Sequence, residues 1–314
     1  MPETGRLLPP LERMLHLKRV PMLSGLPSSE IAVVADAASE RFFPRGAIVF
    51  REGEPVGSVH FVVQGALAMN RRGVRRGRAE PGMGVGGLAV FSGDALGAEV
   101  VAEEDSLTLE LDRDAVAEVL EDRYPILQHV LRETSRRAIE LLTRFRLDPS
   151  AGIPESPADL PQGGDIDLVN RIFFLRRMRV FRKSSITALA EMAREMAQVR
   201  FEPGTVLWRE GEPSPAIFLL RSGRVRASGS SGVDFRPGPG FPLGALEALG
   251  EVPRFYDAVA EAPVVALQGH MGVVVDAFED NFGMAMEYLA VLAQANLRIL
   301  DWAAARGDPA PLPT

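Results

Sequence analysis

Apolar and polar positions change period several times along the chain, and they do so in the same order twice. From Ser28 to Ser39 apolar residues recur at helical spacing behind Pro27. This predicts a helix capped by Ser28, with Glu30 favourably placed in its first turn. Short β-like runs follow, each stopped by glycine or a polar turn. Ala47–Phe50 ends at Glu52-Gly53, Val59–Val63 at Gln64-Gly65, and Ala66–Met69 at the Arg71–Arg78 segment. Ser106–Leu111 alternates polar with apolar, as a half-buried strand does. The period then returns to 3.6. Asp114 opens one helix, and Pro125 sits near the start of a second, where its missing N–H is harmless. That helix carries Leu127, Leu131, Thr134, Ala138, Leu141 and Phe145 on one stripe.

The second pass lies 158 residues further on. Arg51-Glu52-Gly53-Glu54-Pro55 returns as Arg209-Glu210-Gly211-Glu212-Pro213. The same offset pairs Gly65 with Gly223, Pro81-Gly82 with Pro239-Gly240, Gly86 with Gly244, and Val101-Ala102-Glu103 with Val259-Ala260-Glu261, without a gap. A period that long is a duplicated domain and not a solenoid unit. The reading is a first domain over 1–147, a Pro/Gly-rich linker over 148–164, a second domain over 165–306 and a disordered tail over 307–314. Many short strands at this spacing, with helices at both ends, predict an α+β, mainly β fold: two tandem antiparallel β-rolls of jelly-roll type.

Composition narrows the chemistry. The chain has 314 residues and no cysteine, which removes disulfides, thiolate metal sites and cysteine nucleophiles. The histidines, His16, His60, His129 and His270, are too far apart in sequence to form a ligand pair on one element. No nucleophile elbow or argued carboxylate pair is present, so the expectation is a protein that is not an enzyme and needs no cofactor or metal. The net charge is −7, and the halves on either side of residue 157 are both acidic, which argues against nucleic acid as a partner. No apolar run reaches the ~20 residues of a membrane span, and the first residues lack a signal-peptide pattern, so a cytoplasmic protein is expected. The five arginines between Arg71 and Arg78 read as an exposed hairpin tip, either a solvated loop or a dock for an acidic partner.

The ordered glycines resemble the cyclic-nucleotide-binding domain family. Its opening turn is matched by Gly46-Ala47-Ile48 with Glu52-Gly53-Glu54, and by Gly204-Thr205-Val206 with Glu210-Gly211-Glu212. Strands ending in glycine, Phe61–Gly65 and Leu219–Gly223, follow. The resemblance covers about residues 20–146 and 178–304. It implies a phosphate cassette, in which backbone donors at the start of a short helix face the cyclic phosphate, a glutamate holds the ribose and an arginine neutralises the phosphate.

The two cassettes depart from that pattern differently. In the first, Gly86, Gly87 and Leu88 occupy the helix start, with Gly87 in the place of the glutamate and Leu96 in the place of the arginine, so both specific contacts are missing and the cassette reads as vestigial. The second keeps Pro253-Arg254, but Ala245 replaces the glutamate. Glu247 lies two residues on, where a helix is expected to point it to another face. The resemblance assigns Gly244, Ala245, Leu246, Arg254 and Phe255 to a ligand site, with a cyclic nucleotide or other anion as ligand. Tyr256 stands where the family has a small residue, and Asp257 is close enough in sequence to pair with Arg254.

Two functions remain open: a regulatory sensor acting on a separate protein effector through the second domain, or a scaffold with both pockets closed. An open cavity beside Arg254 favours the sensor; Tyr256 inside it, with Asp257 on Arg254, favours the scaffold. A DNA-binding transcription factor of this family carries a further helical domain, for which the chain leaves no room. The closing helix of the second domain bears apolar residues around much of its circumference, including Met284, Met286, Tyr288, Leu289, Val291, Leu292, Leu300 and Trp302, and a homodimer through these C-terminal helices is expected.

Overall fold

A computed structural model describes residues 8–71, 73–93, 98–149, 165–182 and 184–306. The expected linker, apart from its first two residues, and the expected tail lie outside the described residues, as does Leu96. Packing divides the chain into two units. One holds the residues up to Val130 together with those from Leu300 on; the other holds Leu131–Ile299.

The first roll follows three helices, α1 (Pro10–Lys18), α2 (Pro21–Ser24) and α3 (Ser28–Ala37). Ser28 does not cap α3 as expected. Pro27 takes the cap position and Ser28 is the first helical residue, so its hydroxyl closes no orphan donor. Strands β1 (Ser39–Phe43), β2 (Ile48–Phe50), β3 (Ser58–Gln64), β4 (Leu67–Arg71), β5 (Val74–Ala79) and β6 (Gly84–Val85) come next, then helix α4 (Gly87–Ser92). Strands β7 (Glu99–Ala102) and β8 (Ser106–Asp112) close the roll, and α5 (Arg113–Asp122) and α6 (Tyr124–Phe145) leave it. Asp112 caps α5 by accepting from the Ala115 amide at 2.8 Å.

The second roll repeats this order. It runs α7 (Leu168–Arg177), a short 3-10 turn (Arg179–Phe181), α8 (Ile186–Glu195), β9 (Ala197–Phe201), β10 (Val206–Trp208), β11 (Ala216–Ser222), β12 (Val225–Ser228), β13 (Asp234–Phe235), β14 (Pro242–Leu243), α9 (Ala245–Gly250), β15 (Asp257–Ala260), β16 (Val264–His270), α10 (Met271–Asp280) and α11 (Phe282–Ala305).

Each roll is two four-stranded antiparallel sheets. The orders are β1-β8-β3-β6 and β2-β7-β4-β5 in the first, and β9-β16-β11-β14 and β10-β15-β12-β13 in the second. The register repeats as well: Phe61 faces Leu109 and Leu219 faces Leu267, and the irregularity between Val62 and Gln64 recurs between Leu220 and Ser222. The duplication therefore holds down to a single bulge.

It also reaches further toward the N-terminus than the sequence pattern suggested. Arg13 on α1 donates to the carbonyls of Leu8 and Ala38 at 3.2 and 3.0 Å. Arg171 on α7 donates to those of Ile166 and Met196 at 3.3 and 2.6 Å, the same positions one repeat later. In each repeat one half-buried arginine ties the first helix to the end of the helix before the roll.

Two further expectations concern the surface. The Arg71–Arg78 segment lies in the expected hairpin: β4 and β5 pair antiparallel, with Arg71 opposite Val74. Three of its arginines are answered on the spot, Arg75 by Glu103 at 2.8 Å, Arg78 by Glu104 at 2.6 Å and by Glu103, and Arg71 by Asp301. An acidic partner would have to displace carboxylates already in place. The homodimer through α11 loses its basis too. Met284, Tyr288, Leu289, Val291, Leu292 and Leu300 are buried within one chain, and only Trp302 of the apolar residues named for that surface is exposed, at 40%. In the second unit Asn296 of α11 donates to the Thr134 carbonyl of α6 at 3.2 Å, which shows what covers the second apolar side. Light scattering at micromolar concentration is expected to return a single-chain mass of 34.1 kDa. A mass that rises with concentration would restore the dimer.

Candidate functional site

The second cassette is built around one glycine. Gly244 sits between β14 and α9 with φ +79, and a Cβ there would lie 2.2 Å from Arg254 Nη1. Left-handed backbone and close approach both demand glycine at this point. Arg254 precedes β15 and turns inward. Its Nη1 donates to the Gly244 carbonyl at 2.9 Å and its Nη2 to the Ala216 carbonyl at 2.5 Å. The guanidinium also stacks over the Trp208 ring, 4.1 Å from its centroid.

The counter-charge is Glu247. Its carboxylate lies 3.9 Å from Arg254 Nη1, and both side chains are 2% exposed. Here the structure corrects the expectation: Glu247 on the short helix α9 faces the arginine. Asp257 is corrected likewise. It accepts from Arg209 at 2.8 Å and from the Glu210 amide at 2.7 Å, contacts that hold its carboxyl below the usual range, the amide foremost. Burial pushes the Glu247 carboxyl up against the pull of Arg254, and burial lowers the pKa of Arg254.

Tyr256 occupies the centre of this arrangement. It is 2% exposed, and its ring packs edge-on against Phe235 and Phe255 and tilted against Trp208. Its hydroxyl lies in the field of the Glu247 carboxylate, Arg254 and the Gly244 amide. Burial raises the phenol's pKa well above its ordinary value, so it stays neutral. Trp208 Nε1 fixes the backbone by donating to the Tyr256 carbonyl at 2.9 Å. Of the residues assigned to a ligand site, Gly244 and Arg254 thus meet Tyr256 and Glu247; Ala245 is buried, and Leu246 and Phe255 are half-buried.

The first roll is built otherwise. Gly86 opens α4 with φ +93, Gly87 and Leu88 begin it, and Ala89 and Ala98 stand where the second roll has Glu247 and Tyr256. Leu96 lies outside the described residues. The polar group here is His60, which the sequence pattern did not single out. It is 3% exposed and packs against Phe43 and Phe50 at 5.4 and 5.3 Å, where the second roll has Phe218 against Phe201 and Trp208. Thr108 donates its hydroxyl hydrogen to the Arg41 carbonyl, so His60 Nδ1 donates to Thr108 Oγ1 at 3.0 Å, and Nε2 accepts from Ser58 Oγ at 3.0 Å. Burial holds the imidazole down to about 4, against the raising effect of Glu110 and with a further lowering by Arg41. Among the described residues no cluster of acidic or histidine side chains forms a metal site, and no helix is long and apolar enough to cross a membrane.

Comparison with known proteins agrees with this geometry. The family model described as "Cyclic nucleotide-binding domain" matches residues 40–123 and 198–279, together more than half of the chain. The chain is 24% identical over 249 residues to the cGMP-dependent protein kinase egl-4 of Caenorhabditis elegans, a match covering 77% of this chain and 27% of the kinase. It is 34% identical over 88 residues to the acetyltransferase Pat of Mycolicibacterium smegmatis, covering 26% of each. The matches thus span about a quarter of those relatives' length. Similar solved structures include the regulatory domain of Toxoplasma gondii PKA with cAMP, at 17% identity and TM-score 0.35, covering 95% of this chain and 97% of that one. Another is the regulatory subunit of a cAMP-independent protein kinase A from Trypanosoma brucei, at 19% identity and TM-score 0.35, covering 88% and 86%.

Two outcomes are expected from these sites. Arg254→Ala leaves Glu247 buried without its cation and should cost about 3–5 kcal/mol in denaturant unfolding, with part regained in Arg254→Ala/Glu247→Ala. Equal loss in the single and double variants would show that Glu247 left without its cation carries no cost of its own. His60 binds its proton more readily unfolded (near 6.5) than folded (about 4), so stability should be full above pH 6.5 and fall as pH drops toward 4, by about 3 kcal/mol. His60→Phe, the residue type of the second roll, should remove that slope in acid titration of the unfolding midpoint.

Proposed function

Because the chain belongs to the cyclic nucleotide-binding domain family, we propose that it is a non-catalytic regulatory module that engages a separate protein effector with its second nucleotide seat closed by its own side chains. The observation that carries this reading is Tyr256. It is buried in the roll among Trp208, Phe235 and Phe255, beside Gly244 and Glu247, where the resemblance puts an anionic ligand. Arg254 is already held by two carbonyls, an aromatic face and Glu247, so a cyclic phosphate would have to displace Glu247 and expel a large aromatic ring. Buried charge pairs resist such exchange, because each partner left alone keeps its desolvation cost. The ribose contact is missing as well, since Ala245 has no carboxylate to offer.

In the first roll Ala89 and Ala98 offer neither charge nor bulk, and Gly87 stands at the ribose position. Effector docking then falls to surfaces of the fold and not to a ligand-gated pocket. Calorimetric titration with cyclic AMP, cyclic GMP and cyclic dinucleotides is expected to give no saturable heat. A saturable heat that survives Leu96→Ala and disappears in Arg254→Ala would overturn this reading. It would favour a sensor that takes an anion through Gly244, Ala245, Leu246, Arg254 and Phe255.

A further inference from the structure

The first unit holds a half-open cavity of about 80 Å³, walled by α4, β3, β8 and the helices around them. Its lining is apolar throughout: Val59, Leu88, Leu111, Val116, Leu120 and Val130 are among the side chains that form it. Such walls give water no hydrogen-bond partner, and apolar cavities take up apolar guests instead; about 150 Å³ is enough for benzene. The volume here is about half that, and suits about the last two or three carbons of an unbranched chain whose remainder lies in the half-open mouth.

The second repeat supplies an internal control. One repeat further on, Leu23, Leu120 and Val130 become Phe181, Phe278 and Tyr288, all buried. Their rings meet, with Phe278 and Tyr288 centroids 5.2 Å apart and Phe181 and Tyr288 6.5 Å apart, and so place more bulk at these three positions. The mouth differs in the same sense. Met22, Gly87 and Phe91 are half-buried in the first repeat, whereas their counterparts Val180, Ala245 and Leu249 are buried. A Cβ added at Gly87 would meet nothing within 4 Å, which places clear space at that edge. The same strand order thus carries three aromatic rings at these positions in one copy and smaller aliphatic side chains in the other.

We propose that this cavity is a binding site for a short alkyl chain, entering past Met22, Gly87 and Phe91 with any polar end left at the mouth. The site is separate from the cassette of the second roll and does not rest on the function proposed for it. A guest would restore the dispersion contacts that the aromatic rings supply in the second repeat, and would stabilise the fold by mass action.

The test uses the full chain, with hexan-1-ol and xenon as probes. Methyl-resolved NMR is expected to show saturable shifts for Val59, Leu88, Leu111, Val116, Leu120 and Val130 with both probes, and hexan-1-ol should raise the Tm. Leu120→Phe and, separately, Leu23→Phe import the filling residues of the second repeat. Each variant that folds, judged by a cooperative melt, should lose those shifts and the rise in Tm. The absence of saturable methyl shifts in the unaltered chain overturns the proposal whatever the variants do. So do shifts that persist in a folded variant. Binding of xenon without hexan-1-ol overturns the alkyl assignment.

Discussion

Two sheets closed into a roll enclose an interior, and close packing requires that interior to be filled. The second roll meets this requirement with its own residues. Trp208, Phe218, Phe235, Leu243 and Tyr256 form one buried cluster with the small residues Ala227, Ala258 and Ala260. Filling the centre with a tyrosine brings a hydroxyl inside, and a buried hydroxyl needs partners. Gly244 and Glu247 are the polar groups beside it; Glu247 in turn needs a cation, and Arg254 provides it. The arginine's remaining donors then reach the carbonyls of Gly244 and Ala216. Each polar group in this chain of contacts is there because the previous one is.

The two rolls solve one packing problem with different chemistry. The first roll has a smaller interior cluster, centred on Val62, Leu67, Met69, Val85 and Val100, and places His60 against the aromatic pair Phe43 and Phe50. A neutral imidazole between two hydroxyls is stable only while it stays neutral, which makes this roll the acid-sensitive one. The second roll carries no such group at the matching position, Phe218; its Glu247 and Arg254 are charge-paired and its Tyr256 is a raised phenol. Duplication preserved the backbone down to the register of β3 and β11, while the side chains that decide ligand, charge and pH response diverged.

Much of this was legible in the sequence. Glycine spacing and the return of Arg-Glu-Gly-Glu-Pro one repeat later determined the duplication, the strand order and the place of each cassette, because turns with positive φ and closely approaching backbones admit few residues. The missing carboxylate at Ala245 and the bulk of Tyr256 were visible in the same way. What only the tertiary structure decided was pairing. Whether Arg254 meets Asp257 or Glu247 depends on how α9 and the segment before β15 face one another, and sequence proximity favours the wrong acid. Whether the apolar circumference of α11 seeks a second chain or is covered within its own depends on long-range contacts such as Asn296 with Thr134. Local chemistry sets which backbone shapes are allowed, and it is written residue by residue; the partner of a buried charge or an apolar face is set by whichever distant segment packs there.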